Sequence, residues 1–477
     1  MTKLAAEHNG RKTRHRFWGR VGVAILVASS AIGGAELALL TQPAIAQLPF
    51  FRILQPPADE FPPSPLELTE ADPLLPEFPM TRDLTTAEKN NLRPELDKLH
   101  LEGLQLAQAG NGVEAYGRWY RELRLRRFLG LEEEVVAIAQ VGELAAQQNQ
   151  TEAAQILLER LRAIGRGEDG SVPERDESPF VELTAVPELE SSLLEKLGMA
   201  YQAVRAPRLA LVAYNELLTR DRQEGDAQKV QLRLETIAEL HLSWFDYGPA
   251  ADYYEELLTL EAERLRTAPP PSGQVSATDP ALLTVPTERK LPPEIPPAYR
   301  KTVAYLQQLS NIHRRANQPD QGIATDQRLI NTYRQLGLVR PIPVLQVGIG
   351  DSYVQLGDGA AARSLYLKAS ALAQQIQQFS VARSALTQLI ALYQAQPELQ
   401  PSNNTIVETS LAELELARLA GDGFGMMESY DRLGKWLRSQ GQIDQARVAF
   451  EQGAVLAQQL NYRQLHFQRQ LQTLENL

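Results

Sequence analysis

The 477-residue sequence contains no cysteine, and histidine is scarce, with six in the whole chain. Disulfide bonds and thiolate metal sites are therefore excluded. No histidine stands in a zinc-ligand spacing such as HExxH, so we expect no metal and no other cofactor. Because 43% of the residues are hydrophobic and 22% are charged, the composition is that of a folded protein whose stability rests on apolar packing.

Positive charge is also in short supply. The chain has 48 Lys and Arg residues against 59 Asp and Glu residues, which gives a net charge of -11. A surface with this balance repels the phosphates of nucleic acid and of anionic lipid. We therefore expect no nucleic-acid partner.

No catalytic motif stands out either. Gly165–Gly170 fits the dinucleotide-binding fingerprint, but no strand pattern precedes it and its two carboxylates would repel a phosphate. Gly350-Asp351-Ser352 has only a superficial likeness to a hydrolase nucleophile, because it falls inside a predicted helix and an activated serine needs a sharp exposed turn. Convincing strand patterns are missing throughout. The sequence predicts an all-α protein that is not an enzyme.

The first 46 residues have the layout of a secretory signal, with a basic stretch before an apolar segment at 21–40. Ala44-Ile45-Ala46 supplies the small residues that a signal peptidase reads, so cleavage before Gln47 is predicted. The alternative is an uncleaved membrane anchor, since about twenty residues suffice to span a bilayer. Glu36 argues against the anchor, because a charge within a span is costly. We expect export to a periplasm or thylakoid lumen, with membrane contact only through this segment.

Prolines are concentrated in two segments, with nine of the thirty between Pro49 and Pro79 and nine more between Pro269 and Pro297. A helix interior tolerates proline only at a cost of about 3 kcal/mol, so both segments are predicted to be extended linkers. A third segment, 165–187, is acidic and contains Gly and Pro, which predicts a flexible insert. Elsewhere, apolar residues recur at three- and four-residue spacing, which predicts helices.

One register recurs within the helical stretches. A large apolar residue precedes Gly198, and Tyr201, Ala210 and Tyr214 follow at fixed distances. The same spacing returns around other small residues, with weaker or degenerate copies among them. The small residues are Ala238, Gly350, Gly434, Ser310, Gly103, and Gly142 with its partners Ala154 and Leu158.

This register resembles the tetratricopeptide repeat, in which Leu-Gly, Tyr, Ala and an aromatic residue recur over two packed helices. The match covers most of 95–460. The resemblance implies an all-α fold, a right-handed solenoid of helix-turn-helix repeats. Turn chemistry agrees, because Pro207, Pro249 and Pro319 each fall between the predicted first and second helices of a repeat.

Some consecutive copies stand 40 residues apart, against the usual 34 of the family, and larger gaps coincide with the inserts. We therefore expect two or three stacks separated by the proline-rich or acidic inserts. The predicted organisation is a signal peptide or membrane anchor at 1–46, a proline-rich linker at 47–85, degenerate repeat helices at 86–164, an acidic flexible insert at 165–187, a repeat pair at 188–266, a second proline-rich linker at 267–297, further repeats at 298–453 and a C-terminal capping helix at 454–477.

One concentrated basic run stands out on a predicted second helix, with aromatic residues between its members. Its members are Arg118, Arg121, Arg124, Arg126 and Arg127. The simplest interpretation is a solvated helix face. The functional alternative is a docking patch for an acidic segment, since a guanidinium presents a planar fork to carboxylates. That segment would belong to a partner or be the chain's own insert at 168–177.

The resemblance further implies that proteins or peptides bind along a concave groove lined by the first helix of each repeat. In this register the groove is mixed in sign. Its candidate partner-binding residues are Asn311, Arg314, Lys435 and Arg438. The groove lacks the ordered Lys and Asn pattern with which some relatives clamp a C-terminal carboxylate, so that activity is not expected here.

Together these features predict an exported scaffold or assembly factor that holds a protein or peptide partner through the groove and the basic run. Two alternatives stay open. One is a membrane-tethered component of a transport or biogenesis complex, with 21–40 as its anchor. The other is an all-helical glycan-cleaving enzyme, which would need two carboxylates facing one cleft.

Overall fold

The computed structural model describes residues 64–167, 189–267, 294–402 and 404–475. The predicted signal peptide or anchor at 1–46 lies outside them, as do most of the acidic insert and most of the second proline-rich linker. The described residues form seventeen α-helices and no strand, which confirms the predicted all-helical class. No helix in this part of the chain is both long and apolar enough to cross a membrane.

The helices follow one another as packed pairs joined by short turns, and a single helix closes the C-terminal end. They are α1 (Thr86–Gln108), α2 (Gly112–Arg126), α3 (Leu131–Gln147), α4 (Thr151–Gly165), α5 (Ser191–Ala203), α6 (Pro207–Glu224), α7 (Ala227–Ser243), α8 (Tyr247–Thr267), α9 (Arg300–Arg315), α10 (Pro319–Gln335), α11 (Ile342–Gln355), α12 (Gly359–Gln375), α13 (Phe379–Ala395), α14 (Thr405–Leu419), α15 (Gly423–Ser439), α16 (Ile443–Gln459) and α17 (Gln464–Glu475). Odd numbers up to α15 are the first helices of pairs, and even numbers are the second helices.

Local sequence explains where several of these helices begin. The Thr85 hydroxyl accepts the Glu88 backbone N–H at 3.3 Å, and the Glu88 carboxylate accepts the Thr85 N–H at 2.7 Å, which together cap α1. Pro207 and Pro319 are the first residues of α6 and α10, where the missing N–H costs nothing. Pro249 lies in the first turn of α8. The predicted positions of these prolines between paired helices are confirmed.

The two helices of a pair meet where a small residue of the first faces an aromatic residue of the second. A Cβ atom on Gly198 would lie 2.9 Å from Cζ of Tyr214, and one on Gly350 would lie 2.5 Å from Cε1 of Tyr366. Only glycine leaves room for the ring at these points. Gly434 meets its aromatic partner in the same way. The register predicted from the sequence therefore marks the residues at which the two helices of a pair pack against each other.

The weak copy at Ser310 replaces the aromatic contact with a polar one. The Ser310 hydroxyl donates to the Asp326 carboxylate at 2.5 Å, and both side chains are buried. Arg314 also donates to Asp326, at 2.8 Å. A buried carboxylate with two donors replaces the missing ring, which keeps the spacing of the pair while changing its chemistry.

The degenerate copy at Gly142 departs from the prediction. Its Cβ position faces Val204, at the C-terminal end of α5, so α3 approaches the next pair closely. The expected contacts in α4 were Ala154 and Leu158, whereas the buried residues there are Ala153 and Leu157. That assignment was wrong by one residue, because a single-residue shift turns a helix face by about 100°.

One pair, α13 with α14, was not recognised in the sequence. Leu389, Ile390 and Tyr393 hold the repeat spacing and are all buried, but Ile390 stands where the other repeats have a small residue. The connection to α14 is also longer than the other turns within pairs. Both departures removed the signal that identified the neighbouring pairs.

Helix packing continues across both inserts, although separate stacks were expected there. On the two sides of the acidic insert, Ser192 of α5 donates to Glu132 of α3 at 2.6 Å. On the two sides of the proline-rich insert, the rings of Tyr254 and Tyr305 lie 6.0 Å apart between centroids. Each insert falls between a second helix and the following first helix, where extra chain does not disturb the packing. One buried cluster accordingly spans both inserts, from Leu66 to Ile349, and separate clusters follow it along the C-terminal helices.

The two ends of the stack also differ from the predicted organisation. The first proline-rich linker was placed at 47–85, but its described part packs on the helices, with Leu66, Leu75 and Leu84 buried. The capping helix was placed at 454–477, whereas α16 extends to Gln459 and α17 begins at Gln464. Burial of the apolar side chains in the linker offsets the conformational entropy that is lost when the linker is ordered. The proline content alone gave no indication of this burial.

Candidate functional site

The described part of the chain contains a pocket of about 490 Å³ on the first helices near its N-terminal end. The walls come from α1, α2, α3 and α5, so that three first helices and one second helix contribute. Residues that line it are Asp97, His100, Leu101, Arg126, Glu132, Glu133, Val136, Ala137, Gln140 and Lys196.

Two apolar side chains in the pocket are exposed to solvent. Leu101 of α1 is 57% exposed and Val136 of α3 is 40% exposed. Large apolar side chains in a concave site gain free energy when a ligand covers them, at about 25 cal/mol for each Å² removed from water. They make a surface for an aliphatic group.

Three carboxylates stand at the rim of the pocket. Asp97 comes from α1, and Glu132 and Glu133 come from the first turn of α3. Their side chains are 64%, 44% and 32% exposed. Hydrogen bonds from Lys196 and then from Ser192 lower the pKa of Glu132, so this group is ionised at neutral pH.

The two cations of the pocket are already paired with these carboxylates. Arg126 donates to Asp97 Oδ1 at 2.6 Å and to Glu122 Oε1 at 2.9 Å, and Lys196 is paired with Glu132. Burial acts to lower the pKa of Arg126, but its hydrogen bond to Asp97 and the charge of Glu122 outweigh burial and raise the pKa. Both cations are therefore committed to the pocket's own acids.

A fully buried carboxylate lies beneath the pocket. Glu122 of α2 has no exposed surface and lies 3.0 Å from Nδ1 of His100. The indole of Trp119 donates to the backbone oxygen of His100 at 3.3 Å, which fixes that segment of α1. The floor of the pocket is thus a rigid, charged network.

The structure divides the predicted arginine run between two places. Arg126 reaches the pocket. Arg121 makes a two-point contact with Asp72, at 2.7 and 2.9 Å, and Arg124 donates to the Pro65 backbone oxygen at 3.1 Å. Arg121 and Arg124, three residues apart, face the same N-terminal segment, whereas Arg126 lies about 200° further around the helix than Arg124. The run therefore does not form one surface.

The remaining members of the run also contact the chain itself. Arg127 donates to the Leu66 backbone oxygen at 3.1 Å. Arg118 lies 3.7 Å from Glu102, with 48% of its side chain exposed. Arg118 is thus the one exposed member of the run, since the other four arginines are half-buried. Docking of an acidic segment stays a prediction.

The four predicted groove residues lie on two first helices that are far apart in the array. Asn311 and Arg314 are on α9, and Lys435 and Arg438 are on α15. Three of the four have a contact in the chain: Arg314 with Asp326 at 2.8 Å, Lys435 with Asp431 at 2.9 Å and Arg438 with Gln470 at 2.7 Å. None of the four lines the pocket, and partner binding by them stays a prediction.

The pocket was not predicted from the sequence because most of its lining residues belong to the degenerate repeats. A signal was nevertheless present. Val136 stands six residues before Gly142, as Leu232 stands six before Ala238, and both apolar side chains are exposed. An apolar residue at a solvent-facing repeat position could have identified this face.

No family model matches the chain, and no curated protein matches it. Solved helical structures do. The apo form of RapI is 9% identical over 80% of this chain and 97% of that chain, with a TM-score of 0.33. The quorum sensor NprR from B. thuringiensis is 14% identical over 77% and 99%, with a TM-score of 0.25.

A signal transduction ATPase with a tetratricopeptide repeat sensor from Pyrococcus horikoshii is 12% identical over 83% of this chain and 65% of that chain, with a TM-score of 0.30. All three TM-scores are low. The repeat architecture of this chain therefore stands on its own helix pairs and on the small-residue contacts within them.

Proposed function

We propose that this chain, a tetratricopeptide-like array of helix pairs, holds a protein partner by binding an extended segment along the surface of its first helices. One observation carries the proposal. Val136, Leu232 and Val344 occupy the same repeat position on α3, α7 and α11, and they are 40%, 50% and 56% exposed. Apolar side chains repeated along one face are typical of a surface that a partner covers.

The surface suits an extended segment better than a compact small molecule. Alternate first helices carry these side chains, with Ser192 of α5 and Ala304 of α9 at the same repeat position between them. A bound chain would therefore meet an apolar contact at every second repeat. The pocket between α1, α3 and α5 adds a concave point where one side chain of the partner would anchor. Binding, rather than catalysis, is the proposed role.

Export is part of the proposal and is supported by the basic and then apolar pattern of the first 46 residues. N-terminal sequencing of the native protein tests it. A chain that begins at Gln47 supports a cleaved signal and an exported scaffold. A chain that begins at Met1 favours the tethered alternative, in which 21–40 anchors a component of a transport or biogenesis complex.

Charge substitutions on the two faces of the array test the binding surface. Leu232→Asp and Val344→Asp alter the first helices, whereas Leu367→Asp and Val448→Asp alter second helices at side chains that are 43% and 57% exposed. Each variant is returned to the native host, and the proteins that co-purify with it are quantified.

The proposal expects the first pair of variants to lose a partner that the second pair retains. Equal retention by all four variants would refute it. Far-UV circular dichroism of each variant checks that the helices remain folded.

A further inference from the structure

We infer that the pocket between α1, α3 and α5 accepts the side chain of a lysine or arginine from a protein partner. The inference rests on the proposed function and names what one point of that surface recognises. The pocket combines two kinds of wall, an apolar one and an acidic one.

The apolar wall fits the aliphatic stem of a long basic side chain. Leu101 and Val136 come from neighbouring first helices and are both exposed inside the pocket. Lysine and arginine carry three or four methylene groups that pack on such a surface while the charged head reaches a polar rim. A short or purely polar side chain would leave the apolar wall exposed to solvent.

Two carboxylates of the acidic rim, Asp97 and Glu133, each use only one of their two oxygens as an acceptor of hydrogen bonds from the described residues. Asp97 Oδ1 accepts Arg126, and Glu133 Oε1 accepts Arg93. No described residue donates a hydrogen bond to the second oxygen of either carboxylate, and Arg126 comes no nearer than 4.0 Å to Glu133 Oε2. Both second oxygens are therefore open to a cation from the partner.

The charge balance around the pocket also favours a cation. Asp97, Glu122, Glu132 and Glu133 are four carboxylates, and Arg93, Arg126 and Lys196 are the three cations paired with them. The remaining titratable group is His100, which is hydrogen-bonded to Glu122. The pocket therefore has one more carboxylate than it has Arg and Lys side chains.

An anion would be a poor occupant. The side chain of Arg126 is 13% exposed, so an acidic ligand would have to displace Asp97 to reach it. Lys196 is held by Glu132. An incoming carboxylate would also face the three rim carboxylates at close range, which disfavours it electrostatically.

The test is peptide selection on the full-length protein. A phage-displayed library of random twelve-residue peptides is selected against the immobilised wild type, against the double variant Asp97→Asn with Glu133→Gln, and against the control Glu102→Gln. Glu102 is also a carboxylate of α1, lies near Arg118 and is outside the pocket. Circular dichroism confirms that the variants are folded.

The inference expects the wild type and the control to enrich peptides with a fixed Lys or Arg, and the double variant to lose that preference. Replacing the fixed Lys by norleucine keeps the stem and removes the charge. This replacement should weaken binding to the wild type roughly ten-fold or more, since a hydrogen bond to a charged group is lost, and should leave binding to the double variant unchanged.

Two other outcomes would overturn the inference, and they differ in what else they remove. Peptides selected without a basic residue, or with one that the double variant binds equally well, would reject the pocket's specificity and leave the proposed function standing. Failure to enrich any peptide over the bare support would reject both.

Discussion

The two ends of the helix stack are closed by different chemistry. At the N-terminal end, a non-helical segment at 64–84 lies against α1 and α2. At the C-terminal end, the amphipathic helix α17 covers α16. Every solenoid must cover its terminal apolar face, and here one end relies on polar clamps and the other on an aromatic plug.

The N-terminal clamp consists of the segment 64–84 and the side chains of α1 and α2 that hold it. Leu75 and Leu84 share a buried cluster with Leu96, but the specific contacts are polar. Arg121 holds Asp72 at two points. That hydrogen bond lowers the pKa of Asp72 against the raising effect of burial, so the pair stays charged at neutral pH.

The C-terminal plug is a single ring. Phe467 of α17 is fully buried and occupies the space that a side chain at Gly453 would fill, which repeats the small-residue contact of the helix pairs. Asp431 adds a polar tie to α17, at 2.8 Å from His466 Nε2 and 3.2 Å from Arg463. Because the contacts at the two ends differ, different substitutions should detach the terminal segment at each end.

The largest expected effect is at the plug. Phe467→Ala removes a fully buried ring, and substitutions of this type cost about 3–5 kcal/mol. We expect α17 to detach and its amide protons to lose protection in hydrogen-exchange mass spectrometry. Leu465→Ala is the control, because Leu465 is 69% exposed and its loss should change the free energy of unfolding by less than about 0.5 kcal/mol.

A smaller effect is expected at the clamp. Arg121→Ala leaves Asp72 without its main partner, and the loss of a charged hydrogen bond that is partly shielded costs about 1.5–3 kcal/mol. Limited proteolysis should then cut within 64–84 faster than in the wild type. Arg118→Ala should not accelerate cleavage, since the Arg118–Glu102 pair is long and exposed.

Acid should weaken the C-terminal tie. Burial acts to raise the pKa of Asp431, but hydrogen bonds from His466 and Lys435 outweigh burial, and the net pKa is lowered. A lowered carboxyl pKa adds stability above the unfolded pKa of about 3.9, and that stability is lost as the pH falls through the folded pKa.

Urea unfolding at pH 5 and pH 3 measures this dependence. The wild type should lose more unfolding free energy between the two pH values than Asp431→Asn does. An equal loss in both proteins would show that the tie does not contribute.

The smallest effect is expected at Glu88, near the N-terminal clamp. A hydrogen bond from Arg82 and then one from the Thr85 backbone lower the pKa of Glu88 to about 2. Both side chains of the ion pair are nevertheless solvent-exposed, and such pairs contribute little. Glu88→Gln also keeps the helix cap, which accepts Gln. Urea unfolding at pH 7 should not distinguish it from the wild type.

The helix pairs could be predicted because their signal is local. In each of two pairs, Gly198 with Tyr214 and Gly350 with Tyr366, the two residues are sixteen positions apart in one short stretch. The turn prolines mark helix pairs of the same kind. The predicted register therefore matched the observed packing wherever the small residue and the ring were both retained. Where Ile390 replaced the small residue, the pair escaped notice.

The clamp and the pocket could not be predicted because their contacts are distant in sequence. Asp72 and Arg121 are 49 residues apart, and Lys196 reaches Glu132 across 64 residues and the acidic insert. A proline-rich composition concealed the buried leucines of 64–84. Likewise, Arg126 could not be separated from the rest of its run until the neighbouring carboxylates were placed.

Site-specific photocrosslinking tests whether the first helices form the surface that binds the partner. A photoreactive phenylalanine analogue is placed at Leu232 or Val344 on the first helices, and at Leu367 or Val448 on the second helices, in the native host. We expect adducts with the same partner from both first-helix positions and none from the second-helix positions. Adducts from the second helices alone, or none from either face, would contradict this expectation.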